Sequence, residues 1–109
     1  MIKYNKDTDR IVTLTLDMQG RSANIINHQI SEAFVPVIKH LQEEKQRGVL
    51  RGLIITSAKK GFLEGGELEY LFQTEGAEAM FELAERFKWV LRSLEIPGVP
   101  VVAALNGSA

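Results

Sequence analysis

Gly52-Leu53-Ile54-Ile55-Thr56-Ser57, and after it Phe62-Leu63-Glu64-Gly65-Gly66-Glu67-Leu68, decide how this chain folds. Leu53, Ile54 and Ile55 form a nearly continuous apolar run after Gly52. That is the pattern of a strand covered on both faces, as in a parallel or mixed sheet with helical cover. The loop that follows ends on Gly65-Gly66, and Glu67 to Phe72 reads as a short helix. A glycine pair at such a turn has two readings. Lacking side chains, Gly65 and Gly66 let a ligand approach the backbone closely. The first amides of the helix are unpaired and its dipole favours negative charge, which suits a carbonyl oxygen that gains charge during a reaction. Alternatively, the pair is only a tight turn with a helix cap, and Glu67 complements the dipole.

On the N-terminal side, Ile11-Val12-Thr13-Leu14-Thr15-Leu16-Asp17 alternates apolar and polar positions with β-branched residues, a half-buried strand. Ile2 to Asn5 pairs with it across the polar turn Lys6-Asp7-Thr8-Asp9, and Gly20 turns the chain again. After Asn27 the period changes. Ile30, Ala33, Phe34, Val37, Ile38 and Leu41 recur at helical spacing on one face. Glu43-Glu44-Lys45-Gln46 carries this helix into solvent, and Gly48 stops it. Pro36 inside it removes one amide donor and predicts a kink near Glu32.

On the C-terminal side a second long helix runs from about Ala77 to Leu94. Ala77, Met80, Phe81, Ala84, Phe87, Leu91 and Leu94 mark one face, and Leu83, Trp89 and Val90 a second sector, which predicts burial on more than one side. Ile96-Pro97-Gly98-Val99-Pro100 is rigid and non-helical, and Val101 to Leu105 reads as another buried strand before the Asn106-Gly107 turn. The order β-β-α-β-α-β predicts most of an α/β unit. A closing strand of this kind normally feeds a covering helix, so 1–109 is expected to be one incomplete domain.

Composition narrows the function. With 13 basic and 14 acidic side chains and a formal charge of −1 in 109 residues, the chain lacks the basic excess of a nucleic-acid binder. There is no cysteine, and His28 and His40 lack the spacing of a metal site, so no metal is expected. No apolar stretch approaches the roughly 20 residues of a membrane span, nor does the N-terminus resemble a signal peptide. A cytoplasmic soluble protein is the expectation.

Four segments, in order, resemble the crotonase superfamily, the family of enoyl-CoA hydratases and isomerases. Ser22-Ala23-Asn24-Ile25-Ile26-Asn27 is similar to its Ala-Leu-Asn-Ala-type segment, and Gly52 to Ser57 to the strand before its ligand loop. Phe62 to Leu68 resembles its Phe-x-Ala-Gly-Ala-Asp-Ile pattern, and Ile96 to Gly107 its Pro-Lys-Pro-Val-Ile-Ala-Ala-Val-Asn-Gly strand. The resemblance implies an α/β, crotonase-like (ClpP/crotonase) ββα-superhelix, of which these residues are the N-terminal portion. It implies a bound acyl-CoA, with coenzyme A entering as part of the substrate and no separate cofactor. By position, the Gly66 amide is the first oxyanion-hole donor. Glu64 and Gly65 meet the CoA moiety through backbone groups, Leu68 lines the pocket, and Arg21, Ser22 and Ala23 fall on the adenine and pantetheine side.

Glu64 and Glu67 depart from the family's alanine and aspartate. The segment supplying the second oxyanion amide and the acid/base glutamates would lie beyond Ala109. The expected function is therefore thioester binding and enolate stabilisation within a fatty-acid β-oxidation hydratase or isomerase, a homo-oligomer in its full-length form. The 109-residue chain alone is expected to be inactive and to bind CoA weakly or not at all. The alternative is a non-catalytic module that dimerises or completes another fold. Glu64, Glu67 and Glu69 as substitute bases, and Ser108 as a nucleophile, are weaker candidates, the latter for want of a Gly-x-Ser-x-Gly turn.

Overall fold

The computed structural model describes residues 1–21, 23–61 and 66–104, with 66–72 as backbone only. β1 (Ile2–Lys6) and β2 (Ile11–Leu16) form an antiparallel hairpin with Ile2 opposite Leu16 and Lys6 opposite Val12. The turn is held by Asp7, whose Oδ1 accepts from the Asp9 and Ile11 amides at 2.8 and 3.1 Å, and Arg10 closes it with a φ of 65°. β3 (Gly52–Ser57) lies parallel to β2, and β4 (Val101–Ala103) parallel to β3, giving the four-stranded order β1-β2-β3-β4.

Because side chains alternate along a strand, this register sorts the sheet into two faces. One carries Ile2 and Tyr4 from β1, Val12, Leu14 and Leu16 from β2, and Leu53 and Ile55 from β3. These pack with Ile30, Phe34, Ile38 and Leu41 of α1 (His28–Gln46), with Phe87 and Val90 of α2 (Gly66–Ser93) and with Leu94 just after it into one core. Both ends of α1 are capped. The Asn27 side chain accepts from the Ile30 amide at 3.0 Å. Gly48, at φ 72°, turns the chain so that the Gly48 and Val49 amides return to the Lys45 and Glu44 carbonyls, each at 3.1 Å. α1 passes through Pro36 without ending. Pro36 and Glu32 are both exposed, so water can reach the carbonyl that the missing amide leaves unpaired. α2 breaks at Gly76 (φ 90°, ψ −179°), which separates the short helix from the long one where the sequence suggested two.

Three expectations change. Glu44, expected in solvent, is only 3% exposed and accepts from Tyr4 Oη and Lys6 Nζ, both at 2.6 Å. Tyr4 stacks on His40, whose Nε2 lies 3.3 Å from Glu44 Oε1, the oxygen that also accepts from Tyr4. The acidic tract looked like a solvated helix end, but α1 lies over β1 and sets one of its carboxylates against a lysine and a tyrosine. The long helix buries Leu83, Phe87, Val90 and Leu94, one face at i, i+4, i+7 and i+11, and leaves Phe81, Ala84, Trp89 and Leu91 exposed. Being apolar nearly all round, it offers several stripes, and packing against α1 and the sheet selects this one. β4, expected buried, is exposed along its length, because it has β3 on one side and no described strand on the other.

Burial alone would raise the Glu44 carboxyl. The hydrogen bonds from Lys6 and Tyr4, with attraction to Lys6 and His40, outweigh it and hold the group below its ordinary 4.5. Burial first, and then the carboxylate, pushes the Tyr4 phenol well up. A depressed folded value means the Glu44 contribution is complete above pH 4.5 and is lost as pH falls through the folded value. Glu44→Ala should cost about 2 kcal/mol at neutral pH, less than a wholly buried pair because Lys6 is partly solvated. Urea unfolding from neutral to acid pH should show the stability difference between wild type and Glu44→Gln shrinking below pH 4.5.

Candidate functional site

β2 and β3 are parallel and in register, Leu16 opposite Ser57, so the loops that leave them emerge at the same end of the sheet. In open α/β sheets that end, outside the carboxyl ends of the strands, is where ligands sit. One side chain joins the two loops. Asn24, 1% exposed, accepts from the Met18 amide at 2.9 Å and donates through Nδ2 to the Leu16 carbonyl at 3.0 Å and to Ser57 Oγ at 2.7 Å. Ser57 Oγ in turn donates to the Gly61 carbonyl at 2.8 Å and accepts from the Lys59 amide at 3.0 Å. The Leu16 carbonyl also takes the Ala58 amide at 3.0 Å. Met18, Asn24 and the chain from 57 to 61 are thereby fixed to each other and to the strand ends. This is the segment that leads to the glycine pair.

Charge closes the same edge. Asp17 Oδ1 lies 2.8 Å from Lys59 Nζ, and Oδ2 lies 3.6 Å from Lys3 Nζ. The hydrogen bond from Lys59 is the largest influence on the Asp17 carboxyl. It outweighs the opposing effect of desolvation and, with attraction to both lysines, holds the group below its ordinary 3.8. Lys59 reads in sequence as a stray basic residue; in space it ties the start of the second loop to the end of β2.

Of the residues read from the sequence as a site, Gly66 is the first residue of α2. The amides of that first turn have no intrahelical acceptor. Leu68 follows in the same turn as backbone, without a described side chain. Ala23 is half-buried beside Asn24, and Arg21 is exposed just past Gly20, which sits at φ 74°. Ser22, Glu64 and Gly65 lie outside the described residues. The structure thus joins the 18–25 and 57–61 loops and starts a helix at Gly66. Asn24 and Ser57 stand in the quoted motifs without a role, and Lys59 reads only as part of a short basic spot. No local signal marked them: Gln19, Gly20, Arg21 and Ser22 make the stretch before Asn24 polar, and only partners distant in sequence show that its amide is buried.

A separate cavity of about 450 Å³ opens where α1 turns toward β3, between Lys45 and Gln46 of α1 and Arg92 and Ser93 of α2. It lies at the opposite end of the sheet from the joined loops. Among the described residues no group of three or more His, Asp or Glu side chains is placed to hold a metal.

No family model matches the chain. Fatty acid oxidation complex subunit alpha of Acinetobacter baylyi is 33% identical over 104 residues, covering 94% of this chain and 14% of that protein. The subunit of the same name from Shewanella loihica is 31% identical over 105 residues, 95% of this chain and 14% of that one. Among solved structures, the enoyl-CoA hydratase of Bacillus anthracis superposes with a TM-score of 0.78 at 23% identity, over 97% of this chain and 40% of its own. The enoyl-CoA hydratase of Bacillus halodurans gives 0.77 at 14% identity, over 97% and 42%. The chain is similar in sequence to part of those subunits and shares the fold of the two hydratases over 97% of its length. It has the α/β crotonase-like fold expected from its motifs, in the N-terminal portion, and it spans 14% of the length of the curated relatives named above.

In this crotonase-type fold the Asn24 amide is buried with all its partners, so removing it strands several polar groups. Asn24→Ala should cost about 2–3 kcal/mol. Hydrogen exchange should show faster exchange at the Ala58 and Lys59 amides, with the β1–β2 ladder unchanged. Ser57→Ala should give the Lys59 effect without the Ala58 effect, since the Ala58 amide bonds to the Leu16 carbonyl.

Proposed function

We propose that this chain supplies the first half of an acyl-CoA thioester site in an enzyme of the enoyl-CoA hydratase/isomerase type. The observation that carries the proposal is the start of α2 at Gly66, downstream of a parallel strand whose exit loop is anchored by Ser57 and Asn24. When water adds to the β-carbon of an enoyl thioester, or a proton is removed from the carbon next to its carbonyl, charge collects on the carbonyl oxygen as an enolate. A fixed amide aimed at that oxygen lowers the barrier, because it need not reorganise as the charge develops.

In this reading Gly66 N–H is the first such donor. Glu64 and Gly65 border the CoA thioester through their backbone, Leu68 lines the acyl side, and Arg21, Ser22 and Ala23 meet the adenine and pantetheine arm. Coenzyme A arrives as part of the substrate, and no further cofactor is invoked. The relatives named for fatty acid oxidation support an acyl-CoA of that class. Residues 1–109 are the N-terminal part of one crotonase-type domain. The second amide and the acid/base carboxylates belong to the portion that the solved hydratases carry beyond the 40% matched here. A homo-oligomeric, cytoplasmic enzyme completes the proposal; no described helix is long and apolar enough to cross a membrane.

The test is a graft in which this chain replaces the matching N-terminal segment of an active hydratase of the same fold. Hydration of crotonyl-CoA, followed by loss of the enoyl absorbance, is the expected result. Gly66→Pro in the graft, which deletes the donor, should lower kcat about 100-fold. Gly66→Ala, which keeps the donor, should stay within a few-fold. A folded graft with no turnover, or one indifferent to Gly66→Pro, would defeat the proposal. The chain by itself should show neither turnover nor micromolar heat of acyl-CoA binding in titration calorimetry.

A further inference from the structure

Asn24 and Ser57 are both buried where the sheet meets its loops, and part of their work is to satisfy backbone groups. Asn24 serves the Met18 amide and the Leu16 carbonyl, and Ser57 the Lys59 amide and the Gly61 carbonyl. The 2.7 Å bond between the two side chains serves no backbone group. What it adds is direction, because a buried polar network with its partners supplied fixes one arrangement. A serine hydroxyl has one proton and two lone pairs. Ser57 Oγ accepts from Asn24 Nδ2 and from the Lys59 amide, and its proton goes to the Gly61 carbonyl. Asn24 thereby sets the sense of the Ser57–Gly61 bond.

Among the described residues, that bond is the last before α2 begins at Gly66, five residues later. Five extended residues reach about 18 Å at most, so the Gly66 amide stays within a short tether of this anchor. The rest of the turn is held independently. The Ala58 amide bonds to the Leu16 carbonyl, and Lys59 Nζ lies 2.8 Å from Asp17. Neither contact needs the Ser57 hydroxyl, so deleting the hydroxyl releases the Gly61 carbonyl and leaves the turn in place. A donor that stabilises developing charge must be held to within about 0.5 Å, and a misplacement of about 1 Å can cost about 100-fold.

We propose that Asn24 and Ser57 are positioning residues: through Gly61 they hold the Gly66 amide where the thioester oxyanion forms, and neither touches the substrate. The inference rests on the thioester reading above and names what aims its first donor.

The hydratase graft tests it. Ser57→Ala should lower kcat for crotonyl-CoA hydration about tenfold and leave KM within twofold, because the residues placed along the CoA arm are untouched. Asn24→Ala should lower kcat at least as far, and the double variant no further than Asn24→Ala alone, since both act through one bond. Should Asn24→Ala fail to fold, the Ser57 variants carry the test. Glu44→Ala breaks a buried contact at the other end of the sheet and should leave kcat unchanged. The most informative variant combines Ser57→Ala with Gly66→Pro. With the donor deleted there is nothing left to aim, so the combination should turn over within twofold of Gly66→Pro alone. A merely structural role for Ser57 would lower kcat equally in both backgrounds. That result, or a Ser57→Ala graft as fast as the unmodified one, would overturn the positioning role and leave the thioester reading standing. A graft whose turnover ignores Gly66→Pro removes the reading itself, and the positioning role with it.

Discussion

The fold depends first on Val12, Leu14 and Leu16, the three side chains of β2 that face the helices and are at most 2% exposed. β2 is an inner strand, paired antiparallel with β1 and parallel with β3. Slipping it by one residue would bring Thr13 and Thr15 under α1 and turn the aliphatic residues outward. The cost of that exchange fixes the register of both neighbours, and so sets Tyr4 and Leu53 on the same face. It also aligns the carboxyl ends of β2 and β3, without which no shared loop edge would exist.

That apolar face has a polar exception at each end, and both obey one rule: a buried polar group is tolerable only with its partners supplied. At the end where β2 begins, Glu44 reaches Lys6 and Tyr4 and ties α1 to the hairpin. At the end where β2 finishes, Asn24 reaches Leu16, Met18 and Ser57 and ties one loop to another. The first joins a helix to a strand and only holds the layers together. The second joins the two segments between which a ligand would have to lie, so its rigidity passes directly to the site. The amide is neutral, and two of these bonds run to strand residues, Leu16 and Ser57, so it can order that edge without adding a charge to it.

The strands, their order along the chain and both helix breaks were legible in the sequence, because they rest on local signals: alternation in Ile11 to Leu16, the change of period after Asn27, Gly48 as a stop, and separate short and long helical patterns on either side of Gly76. Parallel pairing was legible only through the unbroken run of Leu53 to Ile55. The partners of Glu44 and Asn24 were not. Each lies across a long separation in sequence, Tyr4 with Glu44 and Asn24 with Ser57, and nothing local in an acidic tract or a Ser-Ala-Asn motif tells a buried polar group from a solvated one. Gly66 was found through family resemblance, since a glycine pair before a helix is equally a turn. The exposure of β4 was missed because Val101 and Val102 have the composition of a covered strand, and composition reports what a segment can bury, not what stands beside it.

The long helix shows where periodicity loses its power. With Leu83, Phe87, Val90 and Leu94 on one side, Phe81 and Trp89 on another and Leu91 between, the apolar positions no longer define a single stripe. A hydrophobic pattern identifies a buried face only when the opposite face is polar. Here the charges carry the missing information. Arg86 beside Glu32 marks the flank turned toward α1, while Glu78, Glu82, Lys88 and Arg92, which form no ion pair among the described residues, lie around the exposed aromatic residues. The core face is apolar with no ordered charge, as suits packing inside one chain. The other carries Phe81 and Trp89 among charged residues, with the acidic ones toward its N-terminal end and the basic ones toward its C-terminal end, as suits the dipole of a solvated helix.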